Sequence, residues 1–202
     1  MPNFSSSDIL VAEANVLYAP TGTSLPDETT VAYNSYDSWT DWVHLGYTDD
    51  VSNLAYAFEE FSYTPEQALS PLIRRRISES MTLRFALSQL TGAHLALLTE
   101  GTASDTSAGA SQKAFTQVTG GGDTAISEYM FALEGYRPDS AGTKQPVRFF
   151  FHRCTINLNG DIPFGKQTAA ILPVEVMGLT DTGKSVGAQL YEMHVVTAPA
   201  SS

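Results

Sequence analysis

The chain has 202 residues, 43% hydrophobic and 10% aromatic, enough for one domain with a sizeable core and too few for two comfortable ones. Its 22 acidic side chains face only 11 basic ones, a net charge of −11, which disfavours a protein that grips nucleic acid through phosphates. Charged residues make up 16%, below the roughly 25% of ordinary soluble domains, and because interface cores are depleted in charge this points to a surface largely covered by other subunits.

Along the chain, an acidic, Ser-rich lead of about 1–20 runs into Val11-Ala-Glu-Ala-Asn-Val-Leu-Tyr18, which reads as a strand or an extended arm. Residues 21–41, with Gly22, Pro26 and many Ser, Thr and Asp, read as loop. Trp42-Val-His-Leu-Gly-Tyr47 alternates and stops at Thr48-Asp49-Asp50, the pattern of a strand followed by a turn. Leu54, Tyr56 and Phe58 occupy one phase while Phe61 and Tyr63 occupy the other, which predicts a bulge near Glu59-Glu60. Residues 64–71, bounded by Pro65 and Pro71, are too polar for a core and predict an exposed excursion that returns through Leu72-Ile-Arg74-Arg75-Arg76-Ile77.

Met81, Leu83, Phe85 and Leu87 then alternate cleanly with Thr82, Arg84, Ala86 and Ser88, a strand. The period changes at once: Leu90, Ala93, His94, Leu97 and Leu98 recur at helical spacing, with Ser88 or Thr91 as caps and Gly101 just past the end. Residues 102–122 are low-complexity Ser, Ala, Gly and Thr and read as a long mobile loop. Four more strands follow, over 127–136, 147–155, 168–179 and 189–197, with Pro173 predicting an edge or a bulge in the third. The expected fold is mainly β with one helix (α+β): an antiparallel sandwich or barrel carrying one packed helix.

Catalytic signatures are weak. Gly178-Leu-Thr-Asp-Thr-Gly183-Lys184-Ser185 matches a phosphate-binding loop, but that loop must join a strand to a helix in a parallel sheet, and the residues after it alternate as a strand. A hairpin turn is the better reading. Gly183-Lys-Ser185-Val-Gly187 matches a nucleophile elbow, yet Glu192 and His194 lie too close in sequence to fold back over Ser185. The four histidines are scattered, and the single cysteine, Cys154, reads as strand interior and excludes an intrachain disulfide. No catalytic residue, metal or cofactor is therefore assigned. The N-terminus shows no basic and apolar leader and no run spans a membrane, so synthesis in a cytoplasm is expected.

The one basic concentration is Arg74, Arg75 and Arg76, three of the 11 cations. Arginine forms bidentate, orienting pairs with carboxylates, so the triplet is a candidate dock for a neighbouring subunit, with Asp49, Asp50, Glu59 and Glu60 as candidate partners.

The order of these features resembles the major tail tube proteins of long, non-contractile-tailed bacteriophages. The resemblance rests on Glu13-Ala-Asn-Val-Leu-Tyr-Ala-Pro-Thr-Gly22, Trp42-Val-His-Leu-Gly-Tyr-Thr-Asp-Asp50, Ser70-Pro-Leu-Ile-Arg-Arg-Arg76, the run from Met81 to Leu98, Glu128-Tyr-Met-Phe131, Val147-Arg-Phe-Phe-Phe-His-Arg153 and Ile171-Leu-Pro-Val-Glu-Val176. It implies a single tail-tube-like domain over 1–202, with an N-terminal arm of about 1–20 and an inter-subunit loop of about 62–78. It also implies six copies per ring with a continuous inner β-barrel, and stacked rings that form a conduit for double-stranded DNA. Tape-measure, tail-tip and terminator proteins would be its partners in the virion, after synthesis in the bacterial host. The alternative from the residues alone is a β-sandwich binding module of a virion, recognising carbohydrate or a receptor.

Overall fold

The computed structural model describes residues 13–197 apart from 123–124, 140–141 and 168. Of the expected N-terminal arm of about 1–20, residues 1–12 lie outside the described residues, as does the side chain of Asp50, and Asn15–Pro20 is a strand with Val16, Leu17 and Ala19 buried. The elements are β1 (Asn15–Pro20), β2 (Val43–His44), β3 (Thr48–Tyr63), β4 (Ile73–Leu87), α1 (Gly92–Leu98), β5 (Thr102–Thr106), β6 (Phe115–Thr119), β7 (Tyr129–Pro138), β8 (Lys144–Leu158), β9 (Leu172–Gly178) and β10 (Tyr191–Val195). The main sheet runs β2-β1-β7-β8-β9-β4-β3, with β10 also on β8, and its pairings are antiparallel.

Strand β8 is where this sheet divides. Its first half, through Val147–Phe151, pairs with β10, and its second half, Cys154–Leu158, pairs with β9. Between the halves, β7 loses register: Phe131 faces Phe151 but Tyr129 faces Cys154, so an extra residue bulges out of β8 near His152 and Arg153. The bulge changes the phase of the core. Phe149 and Phe151 point inward before it, Cys154 and Ile156 after it. One strand thereby serves both layers of a sandwich. The layers meet across a shared core, where Phe85 of β4 lies 5.7 Å from Phe131 of β7, ring centre to ring centre. The sheet does not close into a barrel, so the sandwich form of the expected architecture holds.

The other face of β8 is buried as well. Phe150 packs under Trp39 and Trp42 of the 21–42 segment, a second cluster with Leu17, Met130 and Ala132. Trp42 Nε1 donates to the Ser24 carbonyl at 3.0 Å, so the segment is loop in backbone but fixed as a strap across the sheet.

The helix is where the periodicity places it, though short. Thr91 caps it by accepting the His94 amide at 3.1 Å, and Gly101 N–H closes the far end on the Ala96 carbonyl at 2.8 Å. Glu100, not Gly101, takes the left-handed conformation, with φ +53°. Gly101 is required for another reason: a Cβ there would sit 2.8 Å from the Thr119 carbonyl oxygen of β6.

Four local expectations change. Residues 102–122 are not a long mobile loop, because β5 and β6 form a hairpin in which Thr116 Oγ1 donates to Asp105 at 2.6 Å. Of the run 42–47 only Val43 and His44 pair as strand, and Thr48-Asp49-Asp50, expected as a turn, instead opens β3. Pro173 lies in an interior strand between β8 and β4, tolerated because it is the second residue of β9, where the ladder begins. The expected loop of about 62–78 is the outer end of the β3–β4 hairpin: only 64–72 is irregular.

Candidate assembly surface

The hairpin of β3 and β4 is buried at its base and exposed along its outer half. Met81, Leu83, Phe85 and Leu87 sink into the core, but from Glu79 outward to Ile73 every residue of β4 is exposed. On β3 the residues from Asn53 to Tyr63 are exposed as well. The outer half is thus a two-stranded arm over which the described residues place no layer on either face. Isolated hairpins are marginally stable in water, and this one is anchored only by its inner half.

The expected bulge at Glu59-Glu60 is present, but its extra residue is on the partner strand. Glu59 faces Ser78 while Glu60 faces Arg76, so Ile77 is the extra residue. Strand β3 takes its own irregularity between Asp49 and Asn53 and runs without an extra residue from Asn53 to Tyr63. Leu54, Tyr56 and Phe58 therefore share the core-facing side with Leu83 and Met81, and Phe61 and Tyr63 take the opposite side.

The three arginines sit at the distal end of this arm. Arg74 pairs with Glu60 at 2.6 Å across the hairpin. Arg76 lies over the Phe58 ring, 4.6 Å from its centre, and pairs with Glu79 at 3.2 Å. Glu79 also accepts from the Tyr56 hydroxyl at 2.9 Å, a hydrogen bond that pushes that phenol's pKa up. Arg75 faces Phe61 and has no carboxylate partner among the described residues. Glu59 accepts from Ser78 Oγ at 3.1 Å. Asp49 lies at the base of the hairpin opposite Ala86, and the structure does not bring it to the arginines of its own chain. Pro65 and Pro71 flank the turn at the tip, where the Pro65 carbonyl accepts from Ala68 at 3.0 Å and Leu69 is fully exposed.

A second charged cluster escaped the sequence reading. Arg148 is fully buried, stacks on Trp39 with its guanidinium 4.9 Å from the ring centre, and pairs with Glu134 and Glu28. It also donates to the carbonyls of Val31 and Ala32, each at 3.1 Å. Glu28 in turn accepts from His194 Nδ1 at 2.8 Å, and His194 Nε2 meets Glu192 at 2.8 Å. Buried His152 stands 3.7 Å from Glu192, with neither ring nitrogen hydrogen-bonded among the described residues, and burial pushes its pKa down. The available signal was a glutamate and an arginine inside otherwise apolar strand runs, Met130-Phe-Ala-Leu-Glu134 and Val147-Arg148-Phe-Phe-Phe151. The cluster fastens the strap to the sheet; among the described residues no three His, Cys, Asp or Glu side chains gather as a metal site.

The nominal catalytic motifs resolve into turns. After β9 the chain makes a tight turn in which Asp181 accepts the Gly183 amide at 2.9 Å through its carboxylate, and it reaches β10 without a helix. Cys154 is buried and donates to the Tyr129 carbonyl at 3.2 Å, and burial pushes its thiol pKa up, so the thiolate is disfavoured.

A β-sandwich with an exposed paired arm that carries Arg74, Arg75 and Arg76 beside Tyr56, Phe58, Phe61 and Tyr63 offers a surface suited to assembly. The chain belongs to the phage tail tube protein family, whose model matches residues 1–200. It is accordingly a structural component of the virion tail, assembling with itself and with other tail components. No curated protein matches the chain.

Proposed function

We propose that the chain polymerises as stacked hexameric rings into a phage tail tube, whose bore conducts double-stranded DNA during ejection, and that it does so without catalysis. The observation that carries this reading is the β3–β4 arm, which extends the core-facing stripe of the sandwich beyond the chain's own core. An arm of that kind is completed only by another molecule. The net charge of −11 supports the conduit: an acidic wall repels phosphate, so DNA slides instead of sticking. Ring formation also disposes of open strand edges, here the outer edges of β3 and β10, which otherwise template aggregation. Tape-measure, tail-tip and terminator proteins are the further partners, and the host bacterial cytoplasm is the site of synthesis. The arm at 62–78, with Arg74, Arg75, Arg76, Pro65 and Pro71, makes the contact between subunits, and acidic residues of a neighbour, Asp49, Asp50, Glu59 and Glu60 among them, receive it.

Negative-stain electron microscopy of the purified protein, alone and with tail-initiation components, tests the reading. Rings or tubes of uniform width are expected. A chain that stays monomeric at every concentration and with every initiator overturns it.

A further inference from the structure

Two stretches of the sandwich's inner surface are left bare in the single chain. The first is on the arm: Leu54, Tyr56 and Phe58 continue the side on which Leu83 and Met81 are buried, yet they are 42%, 41% and 47% exposed, with Arg76 and Glu79 of the same face over the two rings at the outer end. The second is on β10. Tyr191, Met193 and Val195 lie opposite Phe151, Phe149 and Val147, all three of them buried, and so share the inner face. They are nevertheless 43%, 52% and 40% exposed, with the Tyr191 ring stacked at 5.1 Å on Phe149. The alternate residues of β10, Glu192 and His194, point the other way, into the cluster under the strap.

The two patches match. Each is three large apolar side chains at every second residue of one strand, a stripe about 14 Å long at roughly 3.4 Å per residue. Each is the inner face of a sheet lacking its opposite layer, and two such faces pack about 10 Å apart. We infer that the inner face of the arm of one copy packs on the inner face of β10 of a second copy, so that each core is completed in trans. This rests on the tail-tube reading and names the surface that receives the arm.

The occupant is a second copy because of the area involved. Nine large apolar side chains between 54 and 77 are exposed on the arm. At about 150–250 Å² for a whole aromatic side chain, their exposed fractions amount to on the order of 900 Å². That area is taken over the whole arm, with Leu54, Tyr56 and Phe58 on the inner face, Phe61, Tyr63 and Ile73 on the outer one and Leu69 and Leu72 at the tip. It exceeds the ~300–600 Å² of the largest patch on a typical monomer and matches the ~800 Å² that each partner contributes to a stable interface, of which the inner face supplies one part.

Cysteine pairing tests the contact, since the only native cysteine, Cys154, is buried and disfavoured as thiolate. Phe58→Cys with Met193→Cys, and Tyr56→Cys with Val195→Cys as a second pair, are assembled, mildly oxidised and run on non-reducing gels. The inference expects ladders from the double variants and none from the single ones. Met193→Lys, which puts a charge into the contact, is expected to abolish tubes while leaving the melting temperature of the unassembled chain unchanged. Three results overturn the inference while the tail-tube reading stands: tubes from the double variants without ladders, disulfides confined within one chain, or normal tubes from Met193→Lys. A parent chain that forms neither rings nor tubes overturns the tail-tube reading itself.

Discussion

The guanidinium of Arg148 lies 2.9 Å from the carboxylate of Glu134, directly opposite on the neighbouring strand, with both side chains fully buried. The pair does more than neutralise itself, because Arg148 also holds Glu28 and two carbonyls of the strap. Arg148→Ala strands one buried carboxylate and leaves the strap untied, at a cost of about 3–5 kcal/mol. Thermal denaturation should show that loss. Replacing the pair together, Arg148→Met with Glu134→Leu, should recover much of it, since apolar replacement of a buried ion pair is often neutral. A double variant as unstable as Arg148→Ala would place the loss in the strap contacts alone.

The strap carries a pH dependence through His194. Burial opposes its charge, but hydrogen bonds that its ring donates to Glu192 and Glu28, together with their negative charges, outweigh burial and raise its pKa above the ordinary 6.5. Hydrogen bonding to His194 lowers that of Glu192 below 4.5, against opposing burial. The histidine's contribution is complete below its unfolded value and fades as pH rises through the folded one; the glutamate's is complete above 4.5 and fades as pH falls. The window of greatest support therefore lies between about pH 4.5 and 6.5. Buried His152 works the other way, losing stability as pH falls, because its pKa is lowered. Comparison with His194→Asn removes that background: the gap in melting temperature between parent and variant should be wider at pH 5.5 than at pH 8. An equal gap at both would rule out titration of His194 as the cause.

What was legible in the sequence follows the physics of periodicity. Met81 to Leu87 could be read because one face meets the core and the other meets solvent. The helix could be read because its period and its Thr91 cap agree. The β5–β6 hairpin could not, because Thr, Ser and Ala on an exposed ribbon leave no apolar alternation. The bulge near His152 was hidden for the opposite reason: β8 is buried on both faces, so Phe149-Phe-Phe151 has no period to interrupt. The arm was half legible. Its phase change pointed to a bulge at the correct level, but only register shows that Ile77 of β4 supplies the extra residue. The pairing of Arg148 with Glu134 depends on register as well and has no local signature.

Lys184 is exposed in a turn between β9 and β10, where its amide donates to the Asp181 carbonyl at 3.2 Å. Lys184→Ala is expected to leave folding and assembly unchanged, and ATP to leave the melting temperature where it was. Ligands that bind the native state must raise that temperature, by about 2.7 kcal/mol of stabilisation at a hundredfold excess over Kd. A shift of several degrees with ATP, lost in Lys184→Ala, would restore the phosphate-loop reading.

The arginines of the arm separate solvated from interfacial roles. Within one chain Arg74 and Arg76 already have carboxylates, Glu60 and Glu79, but both pairs are open to water. Exposed pairs of this kind are worth about 0–1 kcal/mol, so neither holds the monomer together. Arg75, on the opposite face beside Phe61, has no carboxylate partner among the described residues. If subunit contact desolvates the arm, removing a cation leaves a buried carboxylate unpaired at roughly 2–5 kcal/mol per contact, repeated at every subunit of a ring. Replacing Arg74, Arg75 and Arg76 together with Ala is therefore expected to block polymerisation while circular dichroism and melting of the monomer stay nearly unchanged. Arg75→Ala alone should weaken assembly more than Arg74→Ala, whose partner lies in the same hairpin. Electron microscopy and sedimentation of the four proteins decide it. Normal tubes from the triple variant would leave the arginines as solvated charges at the end of an arm held by its apolar face alone.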